Sequence, residues 1–263
     1  MFIGRYFSRH KSRRYRLKII LTLLKKEYMT LRKHFLSLLC VIISFPLFMY
    51  LFIVLPLSRV ILDIKPIYIN WSAAGVWTIT CLFLVYLYSF HVYKKTYENE
   101  SILILPVPSY YLLISNYLTF ILFGIIEISI SIILIGALTH DYVGFLNYIL
   151  ILLLIIPSII IVGSISLFFY FFIKNHLVLS LINTIYFSII IFGYGAFIPL
   201  KYFPQTYLSY IHYLPIPGMI ENFQNIISGG SIMFSSLILA FFFSLLMLVL
   251  SFLILDKKMI KNI

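Results

Sequence analysis

Paired carboxylates are one route to acid–base or metal chemistry, and this chain has few acids to pair. It holds eight: Glu27, Asp63, Glu98, Glu100, Glu127, Asp141, Glu221 and Asp256. Only Glu98 and Glu100 stand close together, beside Lys94 and Lys95. An acidic metal cluster for lipid chemistry would need more acids at one membrane depth. The histidines His10, His34, His91, His140, His176 and His212 form no His-x-x-x-His pair to seat zinc. Cys40 and Cys81 fall inside apolar runs and read as small apolar filler. They make neither a Cys-x-x-Cys metal site nor a disulfide framework. No Gly-x-x-x-x-Gly-Lys-Ser/Thr loop is present to cradle nucleotide phosphates. These residues point away from an enzyme and away from a cofactor or metal on this chain.

Glu127 stands apart, near the middle of a long apolar run. A charge there costs at least about 2.5–3.5 kcal/mol on insertion scales, so it must face protein or water, or carry a proton. One reading makes it a substrate- or ion-binding acid in a transport pathway. The other makes it a structural acid satisfied by Ser129, Ser131 or a polar group on another helix. A lone acid without an intramembrane basic partner is a poor relay, which favours the structural reading.

The elements that position these groups are six apolar stretches, roughly 34–56, 71–93, 110–138, 145–173, 177–198 and 232–255. Each can cross a hydrocarbon core of about 30 Å, which takes about 20 helical residues. The composition agrees: 62% apolar, 11% charged, mean hydropathy +1.06. A soluble domain is nearer ~45–50% and ~25%. Six spans place both termini on one face. Of 20 Lys and Arg, 11 lie in residues 1–33, and the 94–109 loop, Lys174 and the tail add more. Only Arg59, Lys65 and Lys201 fall on the other side. Basic loops stay inside, which predicts a multi-pass protein of the inner, cytoplasmic membrane with both termini cytoplasmic. The net charge of +12 is concentrated beside the first span, where it suits anionic lipid headgroups better than nucleic acid.

Along the chain, residues 1–14 read as a basic arm. From Tyr15 to Lys33, Leu17, Ile20, Leu21, Leu24, Tyr28 and Leu31 recur at spacings of three and four, with Lys18, Lys25 and Arg32 on the opposite face. That pattern predicts a basic amphipathic helix lying in the membrane interface, either a simple anchor or a scaffold touching a cytoplasmic partner. Trp71 and Trp77 suit an interfacial position on the second span. The fifth span breaks at Gly193-Tyr194-Gly195. The segment 197–230 that follows is rich in proline and aromatics and predicts helices lying in the interface or dipping into it. The fold class expected is therefore all-α and membrane-integral: residues 1–33 as arm and interface helix, 34–256 as a six-helix domain, 257–263 as tail.

The segment 93–109 carries the sharpest signal. A charged stretch, Tyr93-Lys94-Lys95-Thr96-Tyr97-Glu98-Asn99-Glu100, runs into Ile102-Leu103-Ile104-Leu105-Pro106-Val107-Pro108. This reads as a short helix ending in an apolar knob that needs a protein groove, or as a loop whose apolar half opens the next span. A second soft motif is Phe197-Ile198-Pro199-Leu200 through Phe203-Pro204, then Leu214-Pro215 and Ile220-Glu221. With the order of elements from about Leu17 to Leu255, these resemble an ABC-2-type permease, the membrane subunit of an ATP-driven exporter. Gln224 departs from the basic residue expected there in many relatives.

The resemblance implies a pair of permease copies, identical or different, with a separate ABC ATPase carrying ATP and Mg. It implies ATPase coupling through Tyr97, Glu98, Glu100, Ile102, Leu105, Lys25 and Arg32. It also implies an outer gate at Pro199, Phe203, Pro204, Pro215 and Glu221. The expected cargo is a hydrophobic or amphipathic drug or lipid, with lipid-linked polysaccharide as the alternative. A reading from another class is a stand-alone secondary carrier or a scaffold without an ATPase. A carrier calls for more intramembrane polar residues and for paired helix breaks.

Overall fold

The computed structural model describes residues 3–61, 68–98 and 109–261, with side chains within 18–61, 68–95 and 110–257. All regular structure among them is helical. Helix α1 spans Ile3–Lys33, α2 Phe35–Ser58, α3 Tyr68–Glu98, α4 Ser109–Thr139 and α5 Phe145–Phe172. Then come α6 His176–Gly193, α7 Gln205–Ile211, α8 Pro215–Ser228 and α9 Phe234–Lys261. Helices α2, α3, α4, α5, α6 and α9 are long and apolar enough to cross a membrane. The chain is thus a multi-pass membrane protein, with spans close to those read from hydropathy. Below, the near end of the bundle is where α2 begins and α9 finishes, and the far end is the opposite one.

Local chemistry explains the punctuation. Pro56 supplies no N–H to helix α2, and the chain absorbs this in a π-turn at Tyr50–Val54, where the Leu55 N–H reaches back five residues to the Tyr50 carbonyl. Asn175 starts α6, its side-chain oxygen accepting from the Leu177 and Val178 N–H groups at 2.9 and 3.4 Å. Pro215 opens α8, and Gly229, at φ +70°, closes it.

Helix α3 is the centre. It packs against α2, α4, α5 and α8, and most of its span is buried, whereas little of α6 or α9 is. Hydroxyls stitch the bundle: Ser89 to Ser166 at 2.5 Å joins α3 to α5. The Tyr117 hydroxyl meets Ser164 at 2.5 Å and Ser251 at 3.0 Å, joining α4, α5 and α9. Small residues let backbones approach, most closely at Gly75, where an added Cβ would lie 2.2 Å from the Ala196 carbonyl oxygen.

Three expectations change. Helix α1 starts at Ile3, not Tyr15, because nothing in the basic arm stops a helix beyond Gly4. The buried face of α1 is centred on Glu27, while Leu21 and Tyr28 are exposed alongside Lys25 and Arg32. The helix packs that face on α4 and α2. Trp77 lies inside the bundle, 3% exposed, and only Trp71 is partly exposed. Cys81 is buried filler as expected, but Cys40 is exposed.

The Gly75–Ala196 approach makes a direct prediction. Gly75→Ala should lower the thermal unfolding midpoint of the detergent-purified chain, at a cost of about 1–3 kcal/mol. Gly144→Ala, with open space around it, should stay within about 0.5 kcal/mol of the parent. Equal midpoints for the two variants would contradict the contact.

Candidate functional site

The far end is organised by the break after α6. Past Gly193 the chain leaves helical geometry, and Gly195 takes φ +78°, a conformation an L side chain rarely adopts. Alternate carbonyls along the break each find a side-chain donor. The Tyr207 hydroxyl donates to the Gly193 carbonyl at 3.0 Å, Gln224 Nε2 to Gly195 at 2.9 Å, and the Tyr68 hydroxyl to Phe197 at 2.7 Å. Burial pushes the Tyr194 phenol up from its ordinary value, and nearby Tyr207 adds to this.

The expected gate residues divide around this break. Pro199 is buried and leads into the 3-10 turn Leu200–Tyr202. Phe203 stacks on Tyr207 with ring centroids 5.1 Å apart, and exposed Pro204 caps α7. Pro215 and Glu221 belong instead to α8, the first buried at its start and the second half-buried along it. Helix α8 sits among α3, α5 and α9. Its Asn222 fixes the entry to α9, accepting from the Met233 N–H at 2.7 Å and donating to Ser236 at 2.7 Å. The sequence reading missed Tyr68 and treated Gln224 only as a departure. A polar residue in a buried stretch of α8 was the available signal.

A cleft of about 460 Å³ opens sideways between α3 and α6. Phe83, Tyr86, Asn183, Thr184, Phe187 and Ser188 help line it. The Tyr86 hydroxyl donates to Asn183 Oδ1. Phe187 stands edge-on to Phe83 and Tyr86 at 4.7 and 4.9 Å. Ser180, Thr184 and Ser188, four residues apart, lie exposed on the open side. The sequence reading singled out none of these residues, although Ser and Thr at intervals of four in an apolar helix were visible.

At the near end, α3 runs past its span through Glu98, so Tyr97 and Glu98 stand on its prolongation, not on a separate short helix. Glu100, Ile102 and Leu105 lie outside the described residues. Lys25 and Arg32 are exposed on α1. The same helix is tied to α3, whose Lys95 Nζ donates to Thr30 at 3.2 Å, while its buried Glu27 pairs within α1 with Lys26 at 3.5 Å.

Glu127 is fully buried on α4, and neither carboxyl oxygen has a hydrogen-bond partner among the described residues. Thr80 and Cys81 stand beside it without hydrogen-bonding geometry. The expected donors are engaged elsewhere. Ser129 donates to the Ile125 carbonyl and accepts from Tyr148, while Ser131 meets Thr80 at 3.4 Å. Among the described residues no group of three or more His, Cys, Asp or Glu could hold a metal.

No protein-family model, curated protein or solved structure matches this chain.

The carbonyl caps can be tested singly. Gln224→Met keeps the volume and removes the donor, leaving the Gly195 carbonyl unpaired in a buried setting. The expected loss is about 1–3 kcal/mol of stability, read as a lower unfolding midpoint. Replacing exposed Gln205 by Met serves as the control and should change little.

Proposed function

We propose that this chain is the membrane subunit of an ATP-driven exporter of the ABC-2 type. The observation that carries the reading is the cleft between α3 and α6. Its volume of about 460 Å³ falls in the range of small-ligand sites. Its lining mixes aromatic faces with an amide and hydroxyls, which suits a hydrophobic or amphipathic molecule. It opens on the exposed side of α6, so a second copy set against that side would close it into a path between two subunits.

On this reading the near end faces the cytoplasm, in keeping with its Lys and Arg. Helix α1 lies at the membrane interface, with Lys25 and Arg32 directed to anionic headgroups or to the ATPase. The prolongation of α3 through Tyr97 and Glu98, followed by Glu100, Ile102 and Leu105, rests on an ABC ATPase that supplies ATP and Mg. The link between Lys95 and Thr30 would let movement at that contact reach α1 and α3 together. At the far end, Pro199, Phe203, Pro204, Pro215 and Glu221 frame the exit, and α8 dips among the spans as a re-entrant element.

Purification in mild detergent from the native host, with co-purifying chains identified and ATP hydrolysis assayed, tests this. A stoichiometric Walker-motif ATPase is expected. Its association should fall at least about tenfold, or ~1.4 kcal/mol, when Glu98 and Glu100 are changed to Lys and Ile102 and Leu105 to Ala. Absence of any ATPase, even after cross-linking in intact membranes, would sink the reading.

A further inference from the structure

Two helix faces meet between α3 and α4 and form a line of groups from the far end down to Glu127. On α3 the line is Asn70, Ala73, Trp77, then Thr80 and Cys81, at spacings of three and four. On α4 it is Thr139, Ile135, Ser131 and Glu127, at intervals of four. Two contacts establish that these faces oppose each other. Asn70 Nδ2 donates to Asp141 Oδ2 at 2.6 Å, just beyond Thr139, and Thr80 Oγ1 lies 3.4 Å from Ser131 Oγ.

The line begins in a polar pocket of about 100 Å³ lined by Asn70, Trp77, Thr139, Asp141 and Asn147 among others. That is room for a few water molecules. Trp77 lines the pocket yet is itself buried, and its indole N–H has no partner among the described residues. Thr80 and Cys81, which flank Glu127, come one helical turn after Trp77, about 5 Å along the axis. Of the residues along the line, Trp77 is the last that touches the polar pocket, and it stands with buried Ile135 of α4 between that pocket and the fully buried, unpartnered carboxyl.

We propose that Glu127 is a proton-exchange site reached from the far end, with Trp77 as the plug between it and the pocket. The step is a plain proton transfer. The carboxyl O–H bond breaks, the proton passes to water in the pocket, the electron pair stays on the carboxylate, and the reverse transfer restores the acid. With the seam closed only the neutral acid fits, because an unpaired carboxylate there would bear its full desolvation penalty. Loss of the proton therefore favours parting of α3 from α4, and seam opening and protonation become one linked equilibrium.

The groups facing this site support a single titrating acid. Helix α3 contributes Cys81, and α4 adds no other carboxylate or basic group along its span, its titrating residues being Tyr110, Tyr111 and Tyr117 toward the near end. Helix α5 carries Asn147, exposed at the far-end pocket, and buried Ser158, and its span titrates only at Tyr148 and Tyr170. Helix α2 carries Cys40 and Tyr50, α9 nothing that titrates before Asp256, and α8 only the half-buried Glu221. Asp141 and His140 stand exposed at the pocket mouth, while Glu27 and the basic residues of α1 stay at the near end. The proposal is independent of the ATPase reading.

Cys81 is a built-in reporter, buried beside Glu127 with its thiol 3.4 Å from the Gly124 carbonyl oxygen. The full chain carrying Cys40→Ser retains it as the only thiol. Maleimide labelling of Cys81 is measured in sealed vesicles of uniform orientation while the pH is raised on one side and then the other. The expected result is an acceleration about tenfold beyond that of a thiol in an unfolded peptide. It should be confined to the far-end side and removed by Glu127→Gln. Trp77→Ala should speed labelling at every pH. Equal pH slopes with and without Glu127→Gln, or an equal response from both sides, would overturn the proposal. Infrared spectra of the Cys40→Ser chain give a readout that needs no Glu127 variant. A protonated-carboxyl band that survives Glu27→Gln, which removes the other buried acid among the described residues, reports Glu127. Disappearance of that band as the pH rises supports the proposal, and its persistence to the alkaline limit, or its absence throughout, overturns it.

Discussion

A helix that breaks in apolar surroundings frees backbone carbonyls that no water is there to receive, and the far end of this protein is built around that demand. The donors that meet it come from three different helices: Tyr68 on α3, Tyr207 on α7 and Gln224 on α8. Each brings its helix with it. Helix α8 is thereby held among α3, α5 and α9, and Asn222 on the same helix fixes the start of α9. Gly75 completes the arrangement, since only a residue without a Cβ lets the 194–197 backbone lie against α3. The break, both far-end helices and the entry to the last span form one connected unit.

The magnitudes separate this unit from the rest of the bundle. Hydroxyl links between membrane helices average about 0.6 kcal/mol, because the separated helices also find partners for those groups. An orphaned buried carbonyl costs about 1–3 kcal/mol. The Ser89–Ser166 link and the Tyr117–Ser164–Ser251 junction therefore set register and proximity, whereas the capped carbonyls decide whether the broken segment can exist. Helix α6 lies at the opposite extreme from α3. It leans on its neighbour through Tyr86, Asn183 and the Phe83–Phe187 ring pair, and leaves the other side open.

The spans were legible in the sequence because a run of about 20 apolar residues answers to the thickness of a bilayer, whatever surrounds it. The break was legible through Gly193 and Gly195. The inward face of each helix was not. In a chain that is 62% apolar, a side chain turned toward a neighbouring helix and one turned toward lipid look alike, so periodicity loses its contrast. This is why Trp77 reads as interfacial from the sequence although it lies inside the bundle. Polar residues kept their information. Gln224, Asn222, Asn183 and the Thr80–Ser131 pair mark where helices meet, yet their partners lie from 11 to 97 positions away. Spacing along one helix cannot supply such partners. The near-end residues expected to couple to an ATPase gained only the continuity of α3 through Glu98.

The exposed side of α6 bears on how such a chain is made. Thr184 and Ser188 each donate their hydroxyl to a carbonyl one turn back on their own helix, at 2.9 and 2.8 Å. Those hydroxyls arrive in the bilayer already satisfied, so nothing on this side is left in debt while the helix stands in lipid alone. A newly inserted copy can wait at low cost for whatever comes to lie against it. Encounter within the membrane, not rescue of an unstable intermediate, then sets the pace at which that surface is covered.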